Sequence, residues 1–396
     1  MKKWEFRMKL EALHLAYNSF FGKPDYTLSI VAKENDITPQ RIDIVYDFPK
    51  PSEGKHETTV TTLGLSMYKM GASCETAELV TTVLGLYSQE DNDKIGQSLA
   101  NLIWKYIENN LIFAPNMVLQ NESLPFFEKM SHLFILDWGH TEPEWLYDIE
   151  PEVRLLEVVP IYTSEAYELD KIGPSIRTTV FVQSNGQWGN PKREVMSLTE
   201  NAVITAWQRL EKWYHDKAPE IYKNLNDGAS MEEVEILQNE MGIELPIDLA
   251  ASLKVHNGAM EFHNGYHYLT TAQMLKVWSM MRELNQQGAF STYEPKESVK
   301  GLIQNTWWNP CWIPFAEDSQ GNLICVDLDP GEEGRHGQVV YWERVEGPLT
   351  SDYVSFFLIG YGNTKKLSTK VFISQRMVIS MKNNDTDMFT CCYRKE

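Results

Sequence analysis

The sequence predicts an α+β fold in two domains, each a mixed or antiparallel β-sheet packed with helices. Three observations lead to this prediction. The chain has 396 residues, which is more than one hydrophobic core usually holds. Segments with apolar residues at helical spacing occur beside short apolar runs that are typical of strands. Strand-like patterns give way to helical ones near residue 198, and this change indicates the domain boundary.

The first domain is assigned to residues 1–198. Apolar residues recur at helical spacing from Trp4 to Tyr17, which predicts an opening helix before the extended segment RIDIVYDF. Asp93 is predicted to cap a second helix, DKIGQSLANLIWKYIENN. The runs HLFILDW and VRLLEVVPIY predict strands of the sheet on which these helices pack.

The second domain is assigned to residues 199–364 and is predicted to place its helices before its strands. A long helix is expected over residues 201–225. Ser230 begins a capping-box pattern for a helix that ends at Gly242, and Pro246 suits the first turn of the next helix. Thr270 is predicted to cap a fourth helix.

Three short strand patterns follow, CWIPFAED, NLICVDL and GQVVYWE. They predict an antiparallel sheet. Residues 365–396 are assigned to a C-terminal tail or an added edge element.

The formal net charge of −19 is shared by both halves. An acidic surface repels nucleic-acid backbones and anionic membranes, so neither is expected as the main partner, whereas a basic protein would be attracted. The five cysteines lack CxxC spacing and predict neither a disulfide framework nor a zinc site. Because no apolar run suits a signal peptide or a membrane span, a cytoplasmic location is expected.

The patterns of familiar active and metal sites are absent from the sequence. His256, His263 and His267 lie close together, but the turn signal Asn264-Gly265 separates them and argues against a zinc site. The segment DSQGN lacks the carboxylate spacing of a calcium loop, and GEEGRHG is too acidic for a phosphate loop. We therefore predict no catalytic residue, no cofactor and no metal.

The segment NTWWNPCWIPFAEDSQGNLICVDLDP, residues 305–330, contains the candidate binding residues. Five carboxylates lie along a predicted hairpin and the turn after it: Asp318, Asp327, Asp329, Glu332 and Glu333. Trp307, Trp308 and Trp312 are interpreted as core residues that cover the open end of the sheet. The alternative is that one of them, Trp308, is an exposed interface anchor. A further alternative is a hydrolase in which Asp327 and Asp329 are acid and base.

The same segment carries a family resemblance. The pattern W-x3-W-I-P-F-A-x-D-x-x-G-N-x-x-x-x-D-x-x-P, followed by G-Q-V-V-x-W, resembles the SUKH superfamily, whose founding fungal member regulates cell-wall synthesis. The upstream segments AWQRLEKWYHDKAPEIYKNLNDGAS and EEVEILQNEMGIELPIDLAASLKVHNG match the helices that the family places there. The resemblance covers roughly residues 200–362.

The first half resembles the Suppressor of fused-like domain over roughly residues 20–195. The segment TTLGLSMYKM is similar to a Thr-Leu-Gly-Met-Ser segment of that family, with Leu65 in place of the methionine. AELV and RLLEVVPIYTSEAYEL, which contains a Pro-Ile-x-x-x-Glu core, follow in the expected order.

These resemblances imply two α+β binding domains without catalytic residues. In bacteria both families occur in cytoplasmic immunity proteins of polymorphic toxin systems. The resemblances thus imply an immunity protein that binds and neutralises a toxin domain. Many such toxins are nucleases with basic grooves, and the acidic charge of the chain then makes the carboxylates named above the candidate contact residues. The alternative is a non-enzymatic scaffold or regulatory binding protein like the eukaryotic relatives.

Overall fold

The computed structural model describes residues 3–31, 41–54, 56–68, 76–85, 87–137, 153–263 and 265–351, and the short segments 370–373, 377–380 and 390–392. The chain divides into two compact units, Met1–Leu198 and Thr199–Glu396. Each unit packs helices on a β-sheet, so the predicted α+β class is confirmed. Residues 69–70 of the segment TTLGLSMYKM, residues 352–364 and most of the predicted tail lie outside the described residues.

The N-terminal unit contains helices α1 to α4 and strands β1 to β7. The helices are Lys3–Phe21, Gln89–Glu108, Thr163–Ile172 and Pro174–Gln183. The strands are Tyr26–Val31, Arg41–Asp47, Glu57–Leu63, Thr76–Leu84, Val118–Leu119, His132–Asp137 and Val153–Ile161. They form a mixed sheet in the order β1-β2-β3-β4-β7-β6-β5, in which β4 and β7 are parallel.

Helix α2 begins earlier than the sequence predicted. Ser88 is the N-cap, and its hydroxyl accepts a hydrogen bond from the backbone N–H of Asp91 at 3.2 Å. Glu90 and Asp91 occupy the first turn, where negative charge is favoured by the helix dipole. The prediction that Asp93 caps this helix is wrong, because an equally good cap lies five residues upstream.

The two faces of the sheet are covered by different helices. Helix α2 contributes Ile95, Leu99 and Ile103 to a core with Ile44 of β2. Successive residues of a strand point to opposite faces, and Val45 packs on the other face against α1. That second core contains Leu10, Leu13, Tyr17, Leu63 and Val80. Farther along this face, Phe181 of α4 lies 4.8 Å from Phe134 of β6, measured between ring centroids.

A buried ion pair joins the end of the N-terminal unit to helix α3. Nη1 and Nη2 of Arg193 donate to the two carboxylate oxygens of Glu165, each at 2.6 Å. The side chains are only 3% and 0% exposed, so each charge depends on the other. Glu165 is the glutamate of the Pro-Ile-x-x-x-Glu core, and it also accepts from the backbone N–H groups of Tyr162 and Met196.

A second buried carboxylate shapes the segment TTLGLS. Glu78 of β4 is 0% exposed and accepts hydrogen bonds from the Thr62 hydroxyl and from the backbone N–H and hydroxyl of Ser66. The backbone N–H groups of Gly64 and Leu65 donate to it as well. Gly64 has φ = +114°, which a side chain rarely tolerates. The segment therefore wraps its backbone around one carboxylate.

The C-terminal unit contains helices α5 to α9 and strands β8 to β16. The helices are Leu198–Lys217, Pro219–Lys223, Met231–Met241, Ile247–Val255 and Thr271–Gln286. The strands of an antiparallel sheet are Ala259–His263, Tyr266–Tyr268, Trp312–Asp318, Leu323–Asp327, Gln338–Glu343 and Gly347–Thr350. Their order is β13-β12-β11-β10-β9-β8. A small sheet follows with strands Lys370–Ile373, Met377–Ser380 and Thr390–Cys392.

Most predicted elements of this unit are present, with two differences. The capping boxes at Ser230 and Thr270 are confirmed. The predicted helix over residues 201–225 is split into α5 and α6, because Pro219 has no N–H to continue the helical hydrogen bonds. The histidine-containing segment forms the hairpin β8–β9. Two strands therefore precede α9, and the prediction of helices first and strands afterwards is wrong.

We expect Arg193→Met to destabilise the N-terminal unit because it leaves the Glu165 carboxylate buried without its cation. The free energy of unfolding should fall by about 3–5 kcal/mol. Hydrogen exchange of N-terminal peptides in the full chain measures this loss. Arg7→Met breaks the exposed Arg7–Glu11 pair and is the matched control, which should leave exchange unchanged. Equal exchange in the two variants would contradict the role given to the buried pair.

Candidate functional site

The tryptophans of the segment 305–330 lie in the core of the C-terminal unit. Trp308 and Trp312 are 0% exposed and Trp307 is 7% exposed. The ring of Trp308 meets those of Trp312 and Trp342 edge to face, with centroids 5.6 and 5.9 Å apart. The core interpretation is confirmed. The contact role predicted for Trp308 is corrected, because a fully buried ring offers no surface to a partner.

Asp318 organises the hairpin between β10 and β11. Its Oδ1 accepts from the backbone N–H groups of Gln320 and Asn322 at 2.9 and 2.8 Å, and its Oδ2 accepts from the Asn322 side chain at 2.8 Å. Gly321 completes the turn with φ = +80°. Asp318 is half-buried and lines a shallow cleft with Met260 and His267. Its carboxylate is thus engaged in the turn and borders an open surface.

Asp327 is fully buried, so its predicted contact role is also corrected. Its Oδ1 accepts from the backbone N–H of Asp329 and its Oδ2 from the Gln338 side chain, both at 2.9 Å. Burial raises the pKa of Asp327, and the two hydrogen bonds oppose that change. The pair Asp327 and Asp329 therefore braces the loop after β11 against β12. Both carboxylate oxygens of Asp327 are therefore engaged in hydrogen bonds within the protein, and neither faces a substrate as an acid or base would.

Three of the predicted carboxylates are exposed on the loop after β11: Asp329, Glu332 and Glu333. The loop is held tightly, since the backbone N–H of Glu333 donates to the Gly301 carbonyl at 2.8 Å. A Cβ on Gly334 would lie 2.0 Å from the Leu302 carbonyl oxygen, so glycine permits this close approach. The loop presents three negative charges on a fixed backbone.

Sequence reasoning missed a cleft in the N-terminal unit, which has a volume of about 750 Å³. Its floor is a polar strip on the face of the sheet that α1 covers elsewhere. Asp47 of β2 lies opposite Thr59 of β3, and Thr59 lies opposite Thr82 of β4. Glu57 and Glu157 also line the cleft. The signal for this site in the sequence was the single glutamate inside the apolar run VRLLEVVPI.

Residues 186–190 form one wall of the cleft. Trp188 stacks on Phe181 of α4, with ring centroids 3.9 Å apart, and the guanidinium of Arg193 lies 4.9 Å from the Trp188 ring. The carbonyl of Gly189 accepts from the backbone N–H of Leu84 at 2.6 Å. The wall is therefore fixed to both α4 and β4.

The electrostatics of the cleft centre on Glu157. Burial and, as a smaller contribution, the nearby negative charge of Glu57 raise the pKa of Glu157 to about 7, while a hydrogen bond with Thr82 opposes the shift. That hydrogen bond is long, at 3.5 Å. Among the described residues, no lysine or arginine forms an ion pair with Glu57 or Glu157. The cleft thus holds a carboxylate whose pKa is raised into the neutral range.

The described residues contain no group of histidine, cysteine, aspartate and glutamate side chains arranged to hold a metal ion. In the same part of the chain, no helix is both long and apolar enough to cross a membrane.

Comparison with known families confirms both resemblances. Residues 38–174 match the model of the Suppressor of fused protein (SUFU) family, and residues 228–358 match that of the SMI1 / KNR4 family (SUKH-1). The N-terminal match includes Glu78 and Glu165, and the C-terminal match includes the tryptophan-rich hairpin.

Curated fungal proteins are similar to part of the chain. The cell wall biosynthesis/cell cycle regulator smi1 of Schizosaccharomyces pombe is 27% identical over 199 residues, which cover 44% of this chain and 40% of that protein. The glucan synthesis regulatory protein of Neurospora crassa is 25% identical over 180 residues, which cover 36% of this chain and 34% of that protein. The chain therefore spans well under half the length of these relatives.

Solved structures of Suppressor of fused proteins are also similar. The Sufu–Fu complex aligns with a TM-score of 0.34 and 13% identity, covering 51% of this chain and 95% of that one. Drosophila Suppressor of Fused aligns with a TM-score of 0.32 and 11% identity, covering 59% and 62%.

We expect Asp327→Ala to destabilise the C-terminal unit, because the Asp329 N–H and the Gln338 amide lose their acceptor inside the protein. The free energy of unfolding should fall by about 2–3 kcal/mol. Glu332→Ala, at an exposed position of the same loop, is the control and should cost less than about 1 kcal/mol. Urea denaturation followed by tryptophan fluorescence tests both, because Trp312 lies opposite Asp327 in the sheet. Similar losses in the two variants would contradict the bracing role.

Glu157→Gln should stabilise the N-terminal unit at high pH. The raised pKa of Glu157, about 7, means that the folded state holds a proton that the unfolded state releases near pH 4.5. Stability of the natural chain should therefore fall as pH rises from about 4.5 to 7. The variant should be more stable than the natural chain by about 1–3 kcal/mol at pH 8 and equal to it at pH 4.

Urea denaturation at these two pH values, with hydrogen exchange to separate the units, measures the effect of Glu157→Gln. The control is Glu128→Gln, which changes an exposed glutamate of the same unit and should have no effect. If the variant is more stable than the natural chain at pH 4 as well as at pH 8, the gain does not come from removing an unfavourable negative charge at Glu157.

Proposed function

We propose that the chain is an immunity protein, which binds a toxin domain of a bacterial polymorphic toxin system and neutralises it by protein–protein contact. The observation that carries this proposal is the joint presence of a SUFU match over residues 38–174 and a SUKH-1 match over residues 228–358. Immunity proteins are the bacterial setting that both resemblances imply. The proposal includes a cytoplasmic location and action by binding rather than by catalysis.

The exposed carboxylates of the loop after β11 supply the proposed contact surface. Asp329, Glu332 and Glu333 lie on a fixed backbone, so few conformations are lost when a partner docks. Their charges suit the basic groove of a nuclease, in which they would occupy the positions of substrate phosphates. The net charge of −19 would accelerate encounter with such a partner. Asp318 is proposed as a further contact at the rim of its cleft.

A regulatory binding protein is the second candidate function. It is favoured by the curated relatives, which are named as regulators of cell-wall biosynthesis and glucan synthesis. The same surfaces would then bind a regulator of the cell that makes the protein. The two functions differ in the partner and in the consequence of binding, which is neutralisation in one case and control in the other.

Co-expression with the toxin domain encoded beside this gene tests the immunity proposal. The full chain should restore growth to cells that produce the toxin. The triple variant Asp329→Asn, Glu332→Gln, Glu333→Gln should slow association with the purified toxin about ten-fold at low salt, because attraction between the charges is lost. Raising the salt concentration should narrow this difference.

A matched control separates the effect of the loop carboxylates from the effect of a lower total negative charge. Glu235, Glu240 and Glu244 are exposed glutamates elsewhere in the C-terminal unit, and changing all three to glutamine removes the same total charge. This control should slow association much less. If both triple variants behave alike, the loop is not the contact surface. If the full chain fails to protect against every neighbouring toxin domain, the immunity proposal is wrong.

A further inference from the structure

The cleft of the N-terminal unit is the part of one sheet face that lies between α1 and α4. Helix α1 covers β2 to β4 through Leu10, Leu13 and Tyr17, and α4 covers β6 through Phe181. Glu157 lies on β7, on the same face as Leu155 of the α1 core and beside Val80. The open part of the face is therefore polar where the covered parts are apolar.

Glu157 is half-buried and differs from the buried carboxylates of this unit in having no cation or short hydrogen bond among the described residues. Glu165 has Arg193. Asp43 has His14 and Arg41, and these partners lower its pKa to about 2 despite burial. Glu157 has only the Thr82 hydroxyl at 3.5 Å, with the exposed Glu57 nearby. A cation is the group that this site lacks.

The rest of the cleft suits a cation carried on an apolar stem. Phe21, Phe48 and Leu84 line it and are half-buried. Trp188 also lines the cleft, and its ring is held by the stack on Phe181 and by the Arg193 guanidinium. An alkyl chain can pack on the apolar side chains while its charged end reaches the carboxylates.

We propose that this cleft binds a lysine or arginine side chain of a protein partner, with its charged group held by Glu157 and Glu57. The assignment rests on the proposed function, since it supplies one specific contact of a protein-binding surface. The side chain would enter along Phe21 and Phe48 and replace the proton of Glu157 by an ion pair.

Binding at this cleft depends on pH because the cation competes with a proton. The titratable groups that face Glu157 are Glu57 of β3, Asp47 of β2, which accepts from the Tyr17 hydroxyl, and His56 before β3. Residues 186–190 contribute no titratable side chain. As pH rises from 6 to 8, the ionised fraction of Glu157 rises from about one tenth to about nine tenths. Affinity for the cation should rise about ten-fold over this range.

The test uses the full chain and two small probes. Nα-acetyl-arginine amide is the ligand, and Nα-acetyl-citrulline amide, which has nearly the same shape without the charge, is its control. Titration is followed by NMR through the indole N–H resonance of Trp188. We expect saturable binding of the arginine probe that is about ten-fold tighter at pH 8 than at pH 6, and no comparable shift with the citrulline probe.

Two variants complete the test. Glu157→Gln should weaken binding of the arginine probe at pH 8 by about ten-fold or more and remove the pH dependence of that binding. Glu128→Gln should bind the probe like the natural chain. Equal binding of the two probes, or an unchanged pH dependence in Glu157→Gln, would overturn the assignment. If the probe does not bind but the chain still protects against a toxin, the cleft assignment fails and the proposed function stands.

Discussion

A carboxylate that is removed from water must find hydrogen-bond donors or a cation, and this constraint explains how both units are built. Glu165 meets it with the bidentate contact to Arg193, which fastens the end of the N-terminal unit to helix α3. Glu78 meets it with five donors from residues 62–66, at the end of β3 and just after it. In the C-terminal unit, Asp327 meets it with Gln338 and a backbone N–H. Each solution fixes a segment of chain that would otherwise be a free loop.

This constraint separates the residues that define the families from those proposed to bind. The Pro-Ile-x-x-x-Glu core, the TTLGLS segment and Asp327 of the tryptophan-rich hairpin use their polar groups inside their own unit. They make the fold possible. Binding is assigned instead to exposed acidic groups on fixed supports, Asp329, Glu332 and Glu333, and to Glu157, whose demand for a cation no described residue meets.

Sequence patterns predicted most helices and strands because the periodicity of apolar residues and helix capping are local properties. The strands β6, β7, β10, β11 and β12 and the caps at Ser230 and Thr270 depend on residues a few positions apart. Burial of Asp327 could not be predicted, because β11 is buried on both faces. Its sequence therefore does not show which side chains point to solvent. The cleft around Glu157 could not be predicted either, because it is formed by strands that are distant in sequence and become neighbours only in the folded sheet.

Capture of partners by the immobilised full chain, from lysate of the cells that encode it, tests the central claim most directly. Bound proteins would be eluted by increasing salt and identified by mass spectrometry. The account predicts a basic toxin domain encoded by a neighbouring gene, released as salt screens the acidic surfaces. Reproducible capture of cell-wall regulators, with no toxin domain in any salt fraction, would contradict the immunity function and favour regulation.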